Sequence, residues 1–158
     1  MPDLTVLRAK VNPRGKDRRG PLTTNRQRNA EWVDIKNTSG RTLSVSGVAV
    51  FDHTFAPFAC RTIGRRVIYQ FPQLTLTPGQ IVRIHSGNPV PVADLPEEDR
   101  LGADWHAFTS KDFVWNNTCG DTAEIWSSGV SRVLIDKASY SPSPLEGKIL
   151  TRVGAYLV

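Results

Sequence analysis

Long apolar runs are missing from this sequence. No stretch approaches the roughly 18 consecutive apolar residues that would cross a bilayer, and the first residues show no basic head followed by an apolar core. The pattern predicts no integral membrane association and no secretory signal. We therefore expect a cytoplasmic protein, although the mature form of an exported protein would show the same pattern.

Cysteine is scarce, since the chain contains only Cys60 and Cys119. Two cysteines do not make the disulfide framework of a small secreted domain. In a chain without an export signal the pattern favours two reduced thiols. A bridge between the two stays open, because the sequence does not give the distance between them.

Catalytic and metal-binding motifs are also lacking. There is no Gly-x-Ser-x-Gly elbow and no phosphate loop, and the His and Cys residues do not have zinc-type spacing. The pairs Asp52-His53 and Asp104-x-His106 stand without an evident nucleophile, although a triad can assemble from distant positions. We expect no enzymatic activity, no metal and no cofactor, and keep a hydrolase with an unrecognised site as a remote alternative.

What the sequence does contain is a succession of short alternating segments separated by Gly and Pro, within 158 residues that fit one domain. This pattern predicts an all-β sandwich or barrel of about eight to ten short strands with little or no helix. Thr77-Pro78-Gly79-Gln80 suits a type II turn, and residues 147–158 are expected to add an edge strand. The predicted strands are Leu4–Val11, Glu31–Asn37, Thr42–Phe51, Val67–Phe71, Leu74–Leu76, Ile81–His85, Phe113–Trp115, Thr122–Trp126 and Val130–Tyr140. Segment 52–66 gives no clear pattern, and Ser86–Ser110 is expected to form loops.

Five groups of residues, in order along the chain, resemble the lamin tail domain in its prokaryotic form. They are Asn12-Pro-Arg-Gly15 with Asp17 and Asn29; Glu31-Trp32-Val33 with Ile35-Lys36-Asn37; Val45-Ser46-Gly47; Phe71-Pro72, Leu76, Pro78-Gly79 and Val82–Gly87; and Trp115-Asn116-Asn117, Gly120-Asp121-Thr122-Ala123, Gly129, Asp136 and Tyr140. The chain departs from the family at Val48, where a Trp is common, and in the length of segment 52–66.

The resemblance implies an immunoglobulin-like β-sandwich that acts as a non-enzymatic binding or scaffolding module. Its partner would be another protein or a second copy of the chain. The residues that carry the resemblance are expected to be structural: the aromatic ones in the core, the Gly and Pro residues at turns, and the Asn and Asp side chains bonded to loop amides. The structural set is Glu31, Trp32, Asn37, Gly47, Phe71, Pro78, Gly79, Trp115, Asn116, Asn117, Gly120, Asp121 and Tyr140.

Charge is concentrated near the start of the chain. Residues 1–28 hold eight basic and two acidic residues, whereas the remainder carries a net charge of −1. We expect a long irregular basic loop over residues 12–30 that could bind nucleic acid or another anionic surface without sequence preference. A solvated loop without a ligand is the alternative, and no aromatic residue is present in 12–31 for base stacking. The candidate anion-binding residues are Arg14, Lys16, Arg18, Arg19, Arg26 and Arg28.

A second charged segment is acidic and comprises Asp94, Glu97, Glu98 and Asp99. One hypothesis is self-association, in which this acidic loop meets the basic loop of another copy. The alternative is that the two loops are unrelated and solvated, because surface ion pairs contribute little.

Overall fold

The computed structural model describes residues 2–15 and 24–158. It is nearly all-β, with 41% strand and 8% helix, as the sequence predicts. The strands are β1 (Leu4–Lys10), β2 (Trp32–Asn37), β3 (Leu43–Ser44), β4 (Ala49–Phe55), β5 (Thr62–Gln70), β6 (Thr75–Leu76), β7 (Ile81–His85), β8 (Trp105–Phe108), β9 (Asp121–Trp126), β10 (Leu134–Tyr140), β11 (Leu150–Val153) and β12 (Tyr156–Leu157). The helices are α1 (Asn25–Asn29) and α2 (Glu97–Arg100), with a 3₁₀ turn at Val92–Asp94.

Ten of these strands form one continuous sheet in the order β5-β4-β9-β10-β12-β11-β1-β2-β7-β8, and β3 pairs with β6 separately. The sheet folds over, so that β1, β2 and β7 face β4, β9 and β10 across a shared core. Alternate residues of each strand point inward. The buried apolar side chains from the two halves include Val6, Val33, Ile35, Val82 and Ile84 on one side and Val50, Ala123, Ile125, Ala138 and Tyr140 on the other.

The turn predicted at Thr77–Gln80 is confirmed. Gly79 has a φ of +83°, and the Gln80 amide donates to the Thr77 carbonyl at 3.1 Å. A positive φ at the third position is what a type II turn requires, and glycine adopts it without steric cost.

Helix α1 corrects the expectation of an irregular connection through residue 30. It begins with a capping box: the Thr24 hydroxyl accepts from the Gln27 amide at 3.3 Å, and the Gln27 side chain accepts from the Thr24 amide at 2.9 Å. These bonds satisfy amides that the first helical turn leaves unpaired. The Thr-x-x-Gln spacing is the signal in the sequence that indicates this helix start.

Three strand assignments also change. Segment 113–115 is not a strand, because the Glu31 carboxylate accepts from the Val114 amide at 2.7 Å and the Trp115 amide at 3.4 Å. The segment expected to loop between Ser86 and Ser110 contains β8, which pairs in parallel with β7. The C-terminal segment forms a hairpin, β11–β12, which lies between β10 and β1 rather than at an edge.

Candidate functional site

The segment without a clear sequence pattern is a projecting hairpin. Strand β4 pairs with β9 only through Ala49–Phe51, so residues beyond Phe51 pair with β5 alone within the described chain. Strand β5 is an end strand of the large sheet. We call residues 52–66, the part beyond the last β9 pairing, the arm.

The outer edge of the arm, formed by β5, is poorly suited to pairing with an additional strand. Opposite β4, the register of β5 shifts at two places, leaving Ile63 and Ile68 as extra residues. Bulges and charged side chains such as Arg65 are devices that keep a free edge from pairing with other chains. A regular stretch of only four residues, 64–67, remains. The arm therefore favours contact through its side chains over pairing through its backbone.

The tip of the arm presents an aromatic ring to solvent. Phe58 is fully exposed, at 110% of its reference area, and its φ of +58° is unusual for a residue with a side chain. The turn is nevertheless well formed, since the Ala56 amide donates to the Arg61 carbonyl at 2.9 Å and the Ala59 amide to the Ala56 carbonyl at 3.2 Å. A large apolar side chain is thus held outward on an ordered turn.

A disulfide between Cys60 and Cys119 ties this tip to the sandwich. The expectation of two reduced thiols was wrong, because the hairpin brings Cys60 onto the loop that precedes β9. That loop is itself held in place. The Asn116 side chain accepts from the Cys119 amide at 2.8 Å, and the Asp121 carboxylate accepts from the Asn116 amide at 3.0 Å.

Asp121 joins the arm to the same loop. Its carboxylate also accepts from the His53 amide at 2.9 Å and the Thr122 amide at 2.7 Å. Burial raises its pKa to about 6, although three backbone amides oppose the rise. All of these bonds go to backbone amides. The Asp121 carboxylate therefore attaches the arm to the loop that precedes β9.

The arm carries three exposed arginines beside its apolar groups. Arg66 forms a two-point ion pair with buried Asp52, at 2.5 and 3.2 Å, and burial raises the pKa of Asp52 even though Arg66 lowers it. The Arg65 guanidinium lies 4.7 Å from the Trp126 ring centre and 3.4 Å from the Glu124 carboxylate. Arg61 is exposed next to the disulfide.

Glu124 anchors the base of the arm from β9. It contacts the His53 ring at 2.8 Å and accepts from the Trp126 indole at 2.8 Å. Burial would raise the pKa of this carboxyl, but these hydrogen bonds and Arg65 outweigh burial and lower it. The arm is thus fastened by polar contacts near its base and by the disulfide at its tip.

The predicted basic loop is only partly described. Arg14 and Arg26 are exposed, whereas the Arg28 guanidinium lies 2.9 Å from the Asp112 carboxylate. Lys16, Arg18 and Arg19 fall outside the described residues. Anion binding by these residues therefore stays a prediction, and one member, Arg28, already has an acidic neighbour.

One of the four residues of the predicted acidic contact loop is buried. Asp94, Glu97 and Glu98 are exposed, but Asp99 is 1% exposed. Its carboxylate pairs with the buried Lys10 ammonium at 2.6 Å and accepts from the Trp32 indole at 2.8 Å. Asp99 was wrongly assigned to a contact surface, because segment 92–108 folds back over the outer face of β1, β2 and β7.

A buried charge network lies under that segment. Arg83 forms a two-point pair with Asp34 at 2.7 and 2.8 Å, and its guanidinium lies 3.7 Å above the Trp32 ring. Arg8 reaches the same Asp34 carboxylate at 2.6 Å. These charges are matched within the chain and serve the fold.

The residues that carry the family resemblance are largely buried. Trp32, Phe71, Trp115 and Tyr140 lie in or against the core, at 0–5% exposure. The side-chain amide of Asn37 donates to the Arg41 and Leu76 carbonyls at 2.8 and 2.9 Å. At Gly120, whose φ is +70°, a Cβ would collide with the Tyr140 carbonyl.

The remaining residues of that set lie at turns and loops. Gly47 has a φ of +79°, Pro78 is exposed in the Thr77–Gln80 turn, and the side-chain amide of Asn117 is buried without a hydrogen-bond partner in the described structure.

Within residues 2–15 and 24–158, no three His, Cys, Asp or Glu side chains are placed to share a metal ion. No helix in the described part of the chain has the length and apolar character to span a bilayer.

The chain matches no model of a known protein family, and a search of curated proteins finds no significant match. The resemblance to the lamin tail domain therefore stays a prediction from the residues quoted above.

Proposed function

We propose that this chain is a non-catalytic binding module that holds a protein partner through the arm. The observation that carries the proposal is Phe58, a fully exposed aromatic side chain on an ordered turn. Single exposed apolar residues are normal on a protein surface. The setting of Phe58 is more specific. The residue has a positive φ, the turn around it is closed by backbone hydrogen bonds, and a disulfide at Cys60 ties that turn to the sandwich.

Phe58 has the properties of an interface anchor. Large rings inserted into a partner's pocket supply much of the energy of many interfaces, and transferring a Phe side chain out of water contributes about 1.5–3 kcal/mol. Because the disulfide and turn hydrogen bonds already order the tip, little conformational entropy is lost on binding.

The charges beside Phe58 indicate the chemistry of the partner. Arg61 lies at the apolar tip, and Arg65 and Arg66 follow on the same arm nearer its base, so the fitting surface is an apolar pocket with carboxylates on the side that faces the arm. A second copy of the chain fits less well, because two paired arms would bring their exposed arginines close together.

The resemblance to the lamin tail domain supports a non-catalytic role. So does Asp121, whose perturbed carboxyl accepts from three backbone amides. The cytoplasmic location stays a prediction. The disulfide favours an oxidising compartment, where such bonds persist, unless the bond has a regulatory role.

Site-specific photo-crosslinking tests the proposal and identifies the partner in the same step. The photoreactive p-benzoylphenylalanine is introduced in place of Phe58 and, as a matched control, in place of Val130, which is equally exposed on another turn. The cells that make the protein are then irradiated and the adducts are identified by mass spectrometry.

We expect a discrete protein adduct from position 58 and none from position 130. Replacement of Arg61 and Arg65 by Glu should weaken the adduct, because their charges would oppose an acidic rim. Equal labelling from both positions, an adduct of two copies of this chain, or an adduct with lipid would each overturn the proposed partner class.

A further inference from the structure

The arm is attached to the sandwich unevenly along its length. Near its base, His53 bonds to Asp121 and Glu124, and Arg65 lies beside Glu124. Among the described residues no strand flanks residues 56–61, so the backbone ladder with β9 ends well before the tip. The Cys60–Cys119 bond is the covalent link between that tip and the rest of the fold.

The disulfide is open to exchange from solvent. Cys60 is exposed and Cys119 is partly exposed, in contrast to the fully buried core residues around Trp115. The exposure of Cys60 favours attack by an external thiolate, since access is one of the factors that sets exchange rates.

The loop on the other side of the bond keeps its own supports after reduction. The Cys119 amide remains bonded to Asn116, and Asn116 to Asp121. Breaking the disulfide therefore leaves the acceptor loop in place and releases mainly the hairpin tip, with Phe58 on it.

We propose that the Cys60–Cys119 bond is a redox control on the arm. The inference rests on the proposed function, since it regulates the same surface. An external dithiol transfers two electrons and two protons: one thiolate attacks the Cys60 sulfur, its second thiol resolves the mixed disulfide, and two cysteine thiols and an oxidised dithiol result. The oxidised arm presents Phe58 on a fixed turn, and the reduced arm does not.

Hydrogen exchange detected by mass spectrometry tests this without a partner. Exchange is compared for the oxidised protein, the protein reduced with dithiothreitol, and the double variant Cys60→Ser/Cys119→Ser. We expect amides of residues 56–66 to exchange roughly tenfold or more faster in the last two, because local opening no longer breaks a covalent tie. At labelling times too short for global unfolding to expose the core, amides of β2 and β7 should stay protected in all three samples and serve as the internal reference.

The double variant supplies the matched control, because its exchange should not respond to dithiothreitol. Unchanged exchange in the arm after verified reduction would overturn the inference. Loss of protection throughout the sandwich at the same short labelling times would also overturn it, since the bond would then hold the whole fold closed and not the arm alone.

Crosslinking separates this inference from the proposed function. If the arm loosens on reduction but position 58 gives no partner adduct, the redox control stands and the binding role fails. If position 58 gives the same adduct in oxidised and reduced protein, the binding role stands and the control fails.

Discussion

The arm and the covered face of β1, β2 and β7 differ in how far their charged residues are exposed. On the covered face, Lys10, Arg83 and Asp34 are buried and matched within the chain. On the arm, the arginines stay half-exposed beside solvent-facing apolar groups. The difference teaches that charge density by itself does not mark a contact surface, since the segment that looked like an acidic contact loop uses Asp99 to neutralise a buried lysine.

The largest expected effect comes from breaking the buried network. Asp34→Ala leaves Arg83 without its two-point partner and Arg8 without its ion pair, and an uncompensated buried charge costs about 3–5 kcal/mol. Denaturant unfolding measures the change. Asp94→Ala, which removes an exposed carboxylate, should change stability by less than about 0.5 kcal/mol. Similar losses in both variants would remove the distinction between the two regions.

The next effect concerns the bond that holds the arm. The disulfide joins residues 59 apart, and the chain-entropy model gives about 4 kcal/mol for a loop of that length, with smaller values common. Cys60→Ser/Cys119→Ser should therefore lose about 2–4 kcal/mol of unfolding free energy. Reduced wild-type protein should show the same loss, and a reduced protein as stable as the oxidised one would argue that the bond constrains little.

Acid should lower the unfolding free energy of the protein through His85, a residue of the covered face. The His85 ring is buried, donates to the Asn29 carbonyl at 2.6 Å and contacts His106 at 2.9 Å, and burial lowers its pKa to about 3. The unfolded chain, in which His85 has its ordinary pKa of about 6.5, therefore takes up this proton first. The contribution of neutral His85 to the unfolding free energy is complete above about pH 6.5 and is lost as the pH falls toward about 3.

The variant His85→Gln isolates this contribution. Its unfolding free energy should be lower than that of wild type, and this difference should be largest near neutral pH and shrink on acidification. Denaturant unfolding at several pH values measures it. Asp121, with its raised pKa, acts with the opposite sign but is present in both proteins, so the difference between them removes it. A deficit independent of pH would show that His85 contributes through packing alone.

The smallest stability effect should come from the tip. Phe58→Ala removes an exposed ring and should leave unfolding free energy within about 0.5 kcal/mol of wild type. Phe71→Ala, in the core, should cost about 3–5 kcal/mol. If Phe58→Ala proved equally costly, the ring would be packed in solution and could not serve as an anchor.

Sequence patterns predicted the framework because its strands alternate between two different environments. Strands β2 and β7 have one face in the core, and the Pro78-Gly79 turn has a specific backbone requirement. Strand β5 lacks this contrast, since residues 62–67 are all exposed. Because both faces of this exposed strand meet solvent, its sequence does not show the alternation of apolar and polar residues by which a strand is predicted.

The candidate site escapes sequence-based prediction for related reasons. The disulfide depends on a long-range approach that only the folded hairpin creates. Asp99 looked solvated because its partner, Lys10, is 89 positions away. One available signal was Pro57-Phe58 between two segments rich in β-branched and aromatic residues, which is typical of a hairpin turn.

The extra residue at Ile63 has a consequence for how the protein behaves when concentrated. A regular nine-residue end strand with Ile63 and Val67 along it would offer a template on which copies stack into insoluble fibrils. The irregular register shortens that template to four residues, 64–67, two of which are arginines. The same irregularity that shapes the arm thus protects solubility, and we expect deletion of Ile63 to lengthen the regular template from four residues to five and so to raise the tendency to aggregate.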